Sequence, residues 1–151
     1  MDEGFYHWLA GFIDGEGCFG LYKRSDSDGW VFRFFLKLRD DDAEILEQLR
    51  KEIGGTVRYE PSQNPKWGGQ AIWTISSRSE CLRLVEILDA HPLRAKKRRD
   101  YEIWRRAVML FSDVEQHIGN AAAKKANEPL WAQVRQCKEE LTELRRYEPR
   151  D

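Results

Sequence analysis

The first side chains in this chain whose types and spacing could do chemistry are two carboxylates, Asp14 and Glu16, which follow an apolar stretch. Gly15 and Gly17 alternate with them, so the backbone can turn sharply here. A carboxylate at the carboxyl end of a helix faces the negative pole of the helix dipole, and a nearby positive charge stabilises it. Oxygen ligands suit a divalent cation. The pattern therefore fits a cation site, and it fits equally well a core helix that ends in an acidic turn.

Basic side chains share one face of two predicted strands, and acids are almost absent from that face. Residues 18–24 and 30–39 alternate between apolar and polar positions, which is typical of strands with one buried face. Lysine and arginine bind phosphates, and arginine also reads guanine in the major groove. The composition of this face favours nucleic-acid binding over an ordinary exposed strand surface. Its members are Tyr22, Arg24, Arg33, Lys37 and Arg39.

The helix that positions the two acids has two faces of different character. One face follows helical spacing and is expected to enter the core; it contains Phe5, Leu9, Phe12 and Ile13. The opposite face has few large side chains, because it contains two glycines. Each glycine inside a helix lowers helix stability by about 1 kcal/mol. The spacing of Gly11 and Gly15 explains this cost, because it lets two helix backbones approach closely. The face expected to meet a second helix consists of His7, Ala10, Gly11, Asp14 and Gly15.

The rest of the chain supplies further helices and a second pair of strands. Helical spacing predicts helices at 42–53, at 79–90 with Ser79 as N-cap, and at 93–111. Strands are predicted at 56–59 and 70–76, and Glu128 and Pro129 are expected to open a last helix. This order indicates an α+β fold, in which one antiparallel sheet is covered on one face.

Composition excludes several classes of protein. The chain has 151 residues, and 41% of them are hydrophobic, which indicates one globular domain. Its net charge is −1. No apolar run is long enough to cross a membrane, and the acidic start does not look like a signal peptide. An intracellular protein is expected, cytoplasmic or organellar, without membrane partners or a small-molecule cofactor. Three cysteines and three histidines are widely spaced and predict neither disulfides nor a zinc site.

The acidic helix end also resembles a known signature. Residues 9–17 read LAGFIDGEG, which is similar to the motif of the LAGLIDADG homing endonucleases. The resemblance extends over about 5–111, with 112–151 as a C-terminal helical extension of one domain spanning 1–151. It implies an α+β fold with a four-stranded, saddle-shaped antiparallel sheet and helices packed on one face.

The resemblance also implies roles for individual residues. The family places its catalytic, metal-binding acid at the position of Glu16, and the carbonyl of Gly15 is implied as a second metal ligand. An L-x-x-K-K pattern carries the family's catalytic lysine; residues 93–97 match it, and Lys96 is the implied residue. Family members often have glutamine at the end of the second strand. Here the aligned residue is Leu38 or Arg39, and Arg39 lies on the basic face.

The implied activity is cleavage of a long, roughly palindromic site in double-stranded DNA by a homodimer. Mg²⁺ is the expected cofactor, Mn²⁺ a substitute, and Ca²⁺ is expected to bind without efficient cutting. An RNA maturase and an inactive DNA-binding regulator are alternatives on the same fold, and the presence of both Glu16 and Lys96 argues against the regulator. The expected DNA contacts are Tyr22, Arg24, Arg33, Phe35, Lys37, Arg39, Arg58, Gln70, Ile72 and Thr74.

Overall fold

A computed structural model of the chain describes residues 2–112 and 121–150. The predicted α+β fold is confirmed: four antiparallel strands form one sheet in the order β1-β2-β4-β3, with helices packed against it. In chain order, the elements are α1 (Glu3–Glu16), β1 (Gly17–Lys23), β2 (Trp30–Arg39), α2 (Ala43–Ile53), β3 (Thr56–Glu60), β4 (Gln70–Ile75), α3 (Arg78–Ala90), α4 (Lys97–Ser112) and α5 (Ala121–Leu144).

Helix α1 has well-defined ends, and these fix where the acidic residues lie. At its start, the Asp2 carboxylate accepts a hydrogen bond of 2.9 Å from the backbone N–H of Phe5. At its end, a Cβ on Gly17 would lie 2.8 Å from the carbonyl oxygen of Ile13. Only glycine fits this close approach, so the chain passes directly from α1 into β1. Of the predicted apolar face, Leu9 and Ile13 are fully buried, while Phe5 and Phe12 are half-buried.

The sheet has one buried face and one exposed face, as the alternation in the sequence predicts. In β2, Phe32, Phe34 and Leu36 are buried, whereas Arg33 and Lys37 are exposed. Strands β1 and β2 form a hairpin, in which Gly17 lies opposite Leu36. The buried face packs against the helices around Trp73 and Trp104, both fully buried. The described helices therefore cover one side of the sheet and leave the basic side open.

Helix α5 follows the free edge of β1. The Arg145 guanidinium donates to the carbonyl of Phe19 in β1 and, at 3.0 Å, to the carboxylate of Asp100 in α4. Lys124 forms an ion pair of 2.8 Å with Asp28 in the turn after β1. Because an uncovered strand edge can pair with another chain, α5 protects the sheet as well as extending the core.

Three predicted helix starts are wrong, each for a local reason. Helix α3 begins at Arg78 because Ser77, not Ser79, is the N-cap; its hydroxyl accepts a hydrogen bond of 3.3 Å from Glu80 N–H. Helix α4 begins at Lys97 and not at 93. Leu93 lies in the preceding loop with 1% exposure, so core packing rather than helix formation uses its apolar side chain.

The last helix begins eight residues before Pro129, so the prediction that Glu128 and Pro129 open it is wrong. Proline inside a helix forfeits one hydrogen bond. The alanine-rich start favours helix, and the buried residues Trp131, Val134 and Leu141 hold the following turns against the core. The sequence also predicts a polar, alanine-rich segment of mobile helix or loop at 112–128; its part at 113–120 lies outside the described residues, and the part from Ala121 is helical.

The sequence predicted the state of the cysteines correctly, but it did not predict that two histidines lie close together. Cys18, Cys81 and Cys137 are free thiols, as expected, and burial raises the pKa of Cys81 to about 12. The expectation that the histidines are scattered is wrong for His7 and His91. Their ring centroids lie 4.9 Å apart, because the end of α3 packs against the beginning of α1.

Candidate cation site and nucleic-acid interface

Glu16 is the last residue of α1, and its side chain is exposed. Among residues 2–112 and 121–150, its carboxylate has no hydrogen-bond or ion-pair partner. Gly15, beside it, is also exposed, and an added Cβ there would meet nothing within 4 Å. The oxygen atoms at the carboxyl end of α1 therefore face open space at the negative pole of the helix dipole.

Asp14 is engaged within its own chain. One carboxylate oxygen, Oδ2, accepts hydrogen bonds from the backbone N–H of Arg94 at 2.7 Å and of Ala95 at 3.1 Å. The other oxygen, Oδ1, is buried and has no partner among the described residues. Asp14 therefore fastens the loop before α4 to the end of α1. These hydrogen bonds give Asp14 a structural role at the end of the helix.

This fastening brings the loop of Lys96 to the acidic end of α1. Lys96 directly follows Ala95, whose carbonyl accepts a hydrogen bond of 3.0 Å from Arg98 N–H; the Lys96 carbonyl accepts one of 3.1 Å from Arg99. These bonds form the tight turn that opens α4. The Lys96 side chain is exposed, and its ammonium has no ion-pair partner in the described part of the chain.

Arg39 lies farther along the sheet. It is three residues beyond Leu36, the partner of Gly17, which is about 10 Å along the strand. Its guanidinium binds the carboxylate of Asp41, with Nε to Oδ1 at 2.7 Å. Leu38 is half-buried against the core, so of the two aligned residues Arg39 is the one on the open face.

The open sheet face displays most of the predicted DNA contacts. Phe35 and Thr74 are half-buried neighbours in the register of β2 and β4. Ile72 lies between Lys37 and Arg58 and is only 5% exposed. Ile72 therefore presents little surface in the free chain, and its contact with DNA stays a prediction. The exposed members are Tyr22, Arg24, Arg33, Lys37, Arg39, Arg58 and Gln70.

Residues 18–24 and 30–39 contain no acid, as expected, but carboxylates lie just beyond these strands and in β3. Three arginines of this face each bind a carboxylate two residues farther along the chain. The pairs are Arg24 with Asp26, Arg39 with Asp41, and Arg58 with Glu60. The guanidinium hydrogen bonds lower the pKa of Asp26 and of Asp41.

Two cations of this face have no carboxylate partner in the described ranges, Arg33 and Lys37. The Arg33 guanidinium lies over the ring of Tyr22, 5.4 Å from its centroid. Lys138 of α5 also approaches this ring, at 5.5 Å. The sequence did not predict Lys138, because nothing in a helix pattern indicates which strand edge the helix will follow.

The face of α1 expected to meet a second helix is partly used within the chain. Ala10 is 5% exposed and packs in the core, and Asp14 binds the loop before α4. Both residues therefore contact their own chain, and their role in a dimer interface stays a prediction. His7, Gly11 and Gly15 are exposed, and the space around both glycines is open. Trp8, which the sequence analysis did not assign to this face, is 43% exposed beside them.

Comparison with models of known protein families shows the family of this chain. The family model described as LAGLIDADG endonuclease matches residues 9–108, from the middle of α1 into α4. The chain belongs to the LAGLIDADG endonuclease family. The match contains the end of α1, all four strands and the loop of Lys96, so the resemblance seen in residues 9–17 is confirmed over the domain that positions them.

Curated relatives are longer proteins. The chain is 30% identical over 113 residues to the probable intron-encoded endonuclease Cox1-I1b of Schizosaccharomyces pombe, which covers 72% of this chain and 28% of that relative. It is 26% identical over 102 residues to the probable intron-encoded endonuclease aI3 of Dictyostelium citrinum, covering 65% of this chain and 40% of the relative. The chain thus spans less than half the length of either protein.

Solved structures share the fold at lower identity. The LAGLIDADG homing endonuclease I-GzeII, in complex with its DNA target, superposes with a TM-score of 0.73 at 18% identity, over 97% of this chain and 46% of that one. The homing endonuclease I-TnaI superposes with a TM-score of 0.61 at 24% identity, over 93% and 97% of the two chains. Among its described helices, the LAGLIDADG chain has none long and apolar enough to cross a membrane.

Proposed function

We propose that this chain cuts double-stranded DNA at a specific site by metal-dependent hydrolysis, as a homodimer. The observation that carries the proposal is the end of α1, where an exposed, unpaired Glu16 lies close to the loop of Lys96 held by Asp14. A free carboxylate near a free ammonium suits phosphodiester hydrolysis, which needs both a cation ligand and a positive charge. Membership in an endonuclease family supports the same activity.

The end of α1 fits a hard divalent cation, which we assign as Mg²⁺, with Mn²⁺ as a substitute. The Glu16 carboxylate and the Gly15 carbonyl would hold it, because Mg²⁺ prefers oxygen ligands. When bound, the ion supplies charge neutralisation and a more acidic water. The Lys96 ammonium would stabilise negative charge on the phosphate. A crystal structure of I-SmaMI contains uncleaved DNA in the presence of calcium ions, which supports the expectation that Ca²⁺ permits binding without efficient cutting.

The number of motifs in these 151 residues supports the homodimer. Each chain supplies one Glu16, whereas cutting both strands requires two such sites. I-GzeII, which was solved with its DNA target, is about twice as long as the part that this chain matches; two copies of this chain would provide the same amount of fold. The open face around Gly11 and Gly15 supports helix-to-helix contact between the copies.

The sheet face is the proposed DNA contact. Arg33 and Lys37 are its cations without carboxylate partners in the described chain, so they are assigned to phosphates or guanine edges. Tyr22, Gln70 and Thr74 would add hydrogen bonds around them. A twofold dimer would place two such faces along one duplex, and the site would therefore be long and roughly palindromic.

The test uses a DNA target taken from the flanks of the gene. Several relatives are named as intron-encoded, so we propose that this gene also lies in an intron and that the joined flanks contain the site. We expect the chain to cut this DNA with Mg²⁺. The variant Glu16→Gln keeps the shape but loses the charge that binds the cation, so it should bind the DNA and fail to cut. Lys96→Met should cut more slowly and still bind the cation.

The matched control is Glu86→Gln, because Glu86 is exposed on α3, away from the end of α1. It should cut like the unmodified chain. Robust cutting by Glu16→Gln would remove the metal assignment. If the unmodified chain bound the site tightly and never cut it, the regulator alternative would replace the nuclease, whereas a splicing assay of the intron would reveal a maturase.

A further inference from the structure

A second group of metal-ligand side chains lies at the opposite end of α1. It consists of Glu3, His7 and His91, and one potential ligand atom of each lies within 4.8 Å of the others. Glu3 and His7 are four residues apart and therefore share one face of the helix. His91 follows α3 directly and completes the group from a different element.

The three side chains combine one fixed ligand with two adjustable ones. The His91 side chain is 9% exposed, and its Nδ1 lies 3.0 Å from the carbonyl of Ile87, while Nε2 lies 2.8 Å from Glu3 Oε2. A backbone carbonyl on one ring nitrogen orients the ring and leaves the other nitrogen as the ligand, as in many protein metal sites. Tyr6 stacks on the ring at 5.2 Å and restricts its rotation further.

We propose that Glu3, His7 and His91 form a Zn²⁺ site. Two imidazoles and one carboxylate are a known ligand set for zinc, with a water in the fourth position. They do not suit Mg²⁺, which selects oxygen ligands. Tetrahedral zinc needs ligand atoms about 3.3 Å apart. Glu3 Oε2 lies 2.8 Å from His91 Nε2, and all three ligand atoms lie within 4.8 Å of one another, so small rotations of the exposed Glu3 and His7 side chains would adjust them to that spacing.

The zinc site is separate from the acidic end of α1. Glu3 and Glu16 begin and end a helix of 14 residues, so they lie about 20 Å apart. Zinc at Glu3 therefore has no part in hydrolysis. Its effect is to join the start of α1 to the end of α3 and so hold in place the helix that carries Glu16. Binding to the folded chain alone also raises its stability.

The experiment measures metal binding directly, with the chelator-stripped full chain and excess Mg²⁺ to occupy oxygen sites. We expect one Zn²⁺ per chain by calorimetry, a higher melting temperature with Zn²⁺, and visible bands of four-coordinate Co²⁺ without a thiolate band. Loss of a ligand should weaken zinc binding by at least about 10- to 100-fold, the usual effect of removing even an outer partner. His7→Gln and Glu3→Gln test this, because both residues are exposed and their loss should leave the fold intact.

Three control variants should keep full zinc affinity. Glu86→Gln removes an exposed carboxylate elsewhere, Cys18→Ser removes the most accessible thiol, and Glu16→Gln separates this site from the proposed catalytic one. The proposal is overturned if the unmodified chain binds no zinc, if His7→Gln and Glu3→Gln bind it unchanged, or if Cys18→Ser abolishes binding. None of these results depends on DNA cleavage, so a failure here leaves the nuclease proposal to its own test.

Discussion

Asp14 and Glu16 are two residues apart in the chain, yet they lie in opposite environments. Asp14 receives two backbone N–H groups from the loop before α4, and these offset the unfavourable helix dipole. Glu16 receives nothing from the described chain and faces open space. The difference arises because Asp14 lies on the side of α1 that the loop covers, whereas Glu16 completes the last turn. Asp14 therefore positions the loop before α4, and Glu16 remains available to the proposed cation.

The carboxylates on the sheet face have an expected effect on DNA binding. Asp41→Asn would free the Arg39 guanidinium to meet a phosphate. We expect tighter binding to non-specific DNA and a plot of log affinity against log salt that steepens by about 0.9 for the added phosphate contact. Salt titrations of binding to a duplex without the target site would measure this.

The control for Asp41→Asn is Glu139→Gln, which removes one negative charge from an exposed position on α5. Its salt dependence should match that of the unmodified chain. If both variants bound non-specific DNA more tightly by the same factor, the change in net charge alone would explain the effect. The pairing of Arg39 with Asp41 would then have no influence on binding.

The sequence predicted individual residues well where a pattern was strict. The motif at 9–17 predicted that Glu16 lies at the end of a helix. The alternation in β2 predicted that Arg33 and Lys37 are exposed. The sequence did not predict the pairing of Arg39 with Asp41, because Asp41 lies beyond the end of the strand, where alternation no longer indicates which side chains meet. Likewise, the burial of Ile72 depends on long side chains of two neighbouring strands, and no single strand pattern contains that information.

Helices α3 and α4 are joined by a small polar group at their contact. The buried Tyr101 hydroxyl donates to Asp89 Oδ1 at 2.7 Å and is 3.2 Å from the carbonyl of Val85. Arg105 binds both oxygens of the same carboxylate, at 2.7 to 2.9 Å. The guanidinium lowers the pKa of Asp89, and burial raises that of Tyr101. Helix α4 carries the loop of Lys96 at its start, so this group also helps to position that loop.

Asp89→Asn should reduce stability in a pH-dependent way. Because the pKa of Asp89 is lowered in the folded state, its charge stabilises the fold above the unfolded pKa of about 3.9, and this stability is lost as pH falls through the folded pKa. The side chain is 38% exposed, so solvent screening limits the loss at pH 7 to about 1 kcal/mol. Urea unfolding at a series of pH values would measure the difference, which should shrink below about pH 4.

Asp26→Asn is the matched control, because Asp26 lies in an exposed turn and its loss should leave the free energy of unfolding unchanged. If the effect of Asp89→Asn stayed constant with pH, the side-chain amide would be packing badly, and the charge of Asp89 would not be what joins the two helices.

The sequence predicted the elements more accurately than their ends. All four strands agree with the structure to within one residue at each end, because alternation ends where burial ends. Helix starts depend on which hydroxyl or loop residue caps them, and three serines, at 76, 77 and 79, lie near the start of α3. Pro129 was a misleading start signal because the docking of α5 onto the core outweighs one missing hydrogen bond.

At the scale of the whole molecule, one surface of α1 remains without a partner in the described chain. Around Gly11 and Gly15, an added Cβ meets nothing within 4 Å, and Trp8 is partly exposed beside them. The sequence indicated this surface from two glycines four residues apart. It could not indicate that Ala10 packs in the core, because alanine is equally common on both kinds of surface.

Gly11→Leu tests the proposed dimer. Because the space around Gly11 is open, leucine fits the single chain, and replacing a helical glycine favours the helix by up to about 1 kcal/mol. We therefore expect a folded chain with the helix content of the unmodified protein, which circular dichroism would measure. In the dimer, however, the leucine would push the two α1 helices apart, and a displacement of about 1 Å in an active site can cost on the order of a hundredfold in rate. Sedimentation should show a monomer, and DNA cleavage should fail.

Ala132→Leu is the control for Gly11→Leu. It adds a leucine to an exposed position of α5 and should change neither the sedimentation nor the cleavage. If Gly11→Leu sedimented as the unmodified chain does and cut both DNA strands, the contact between protomers would lie elsewhere on the molecule.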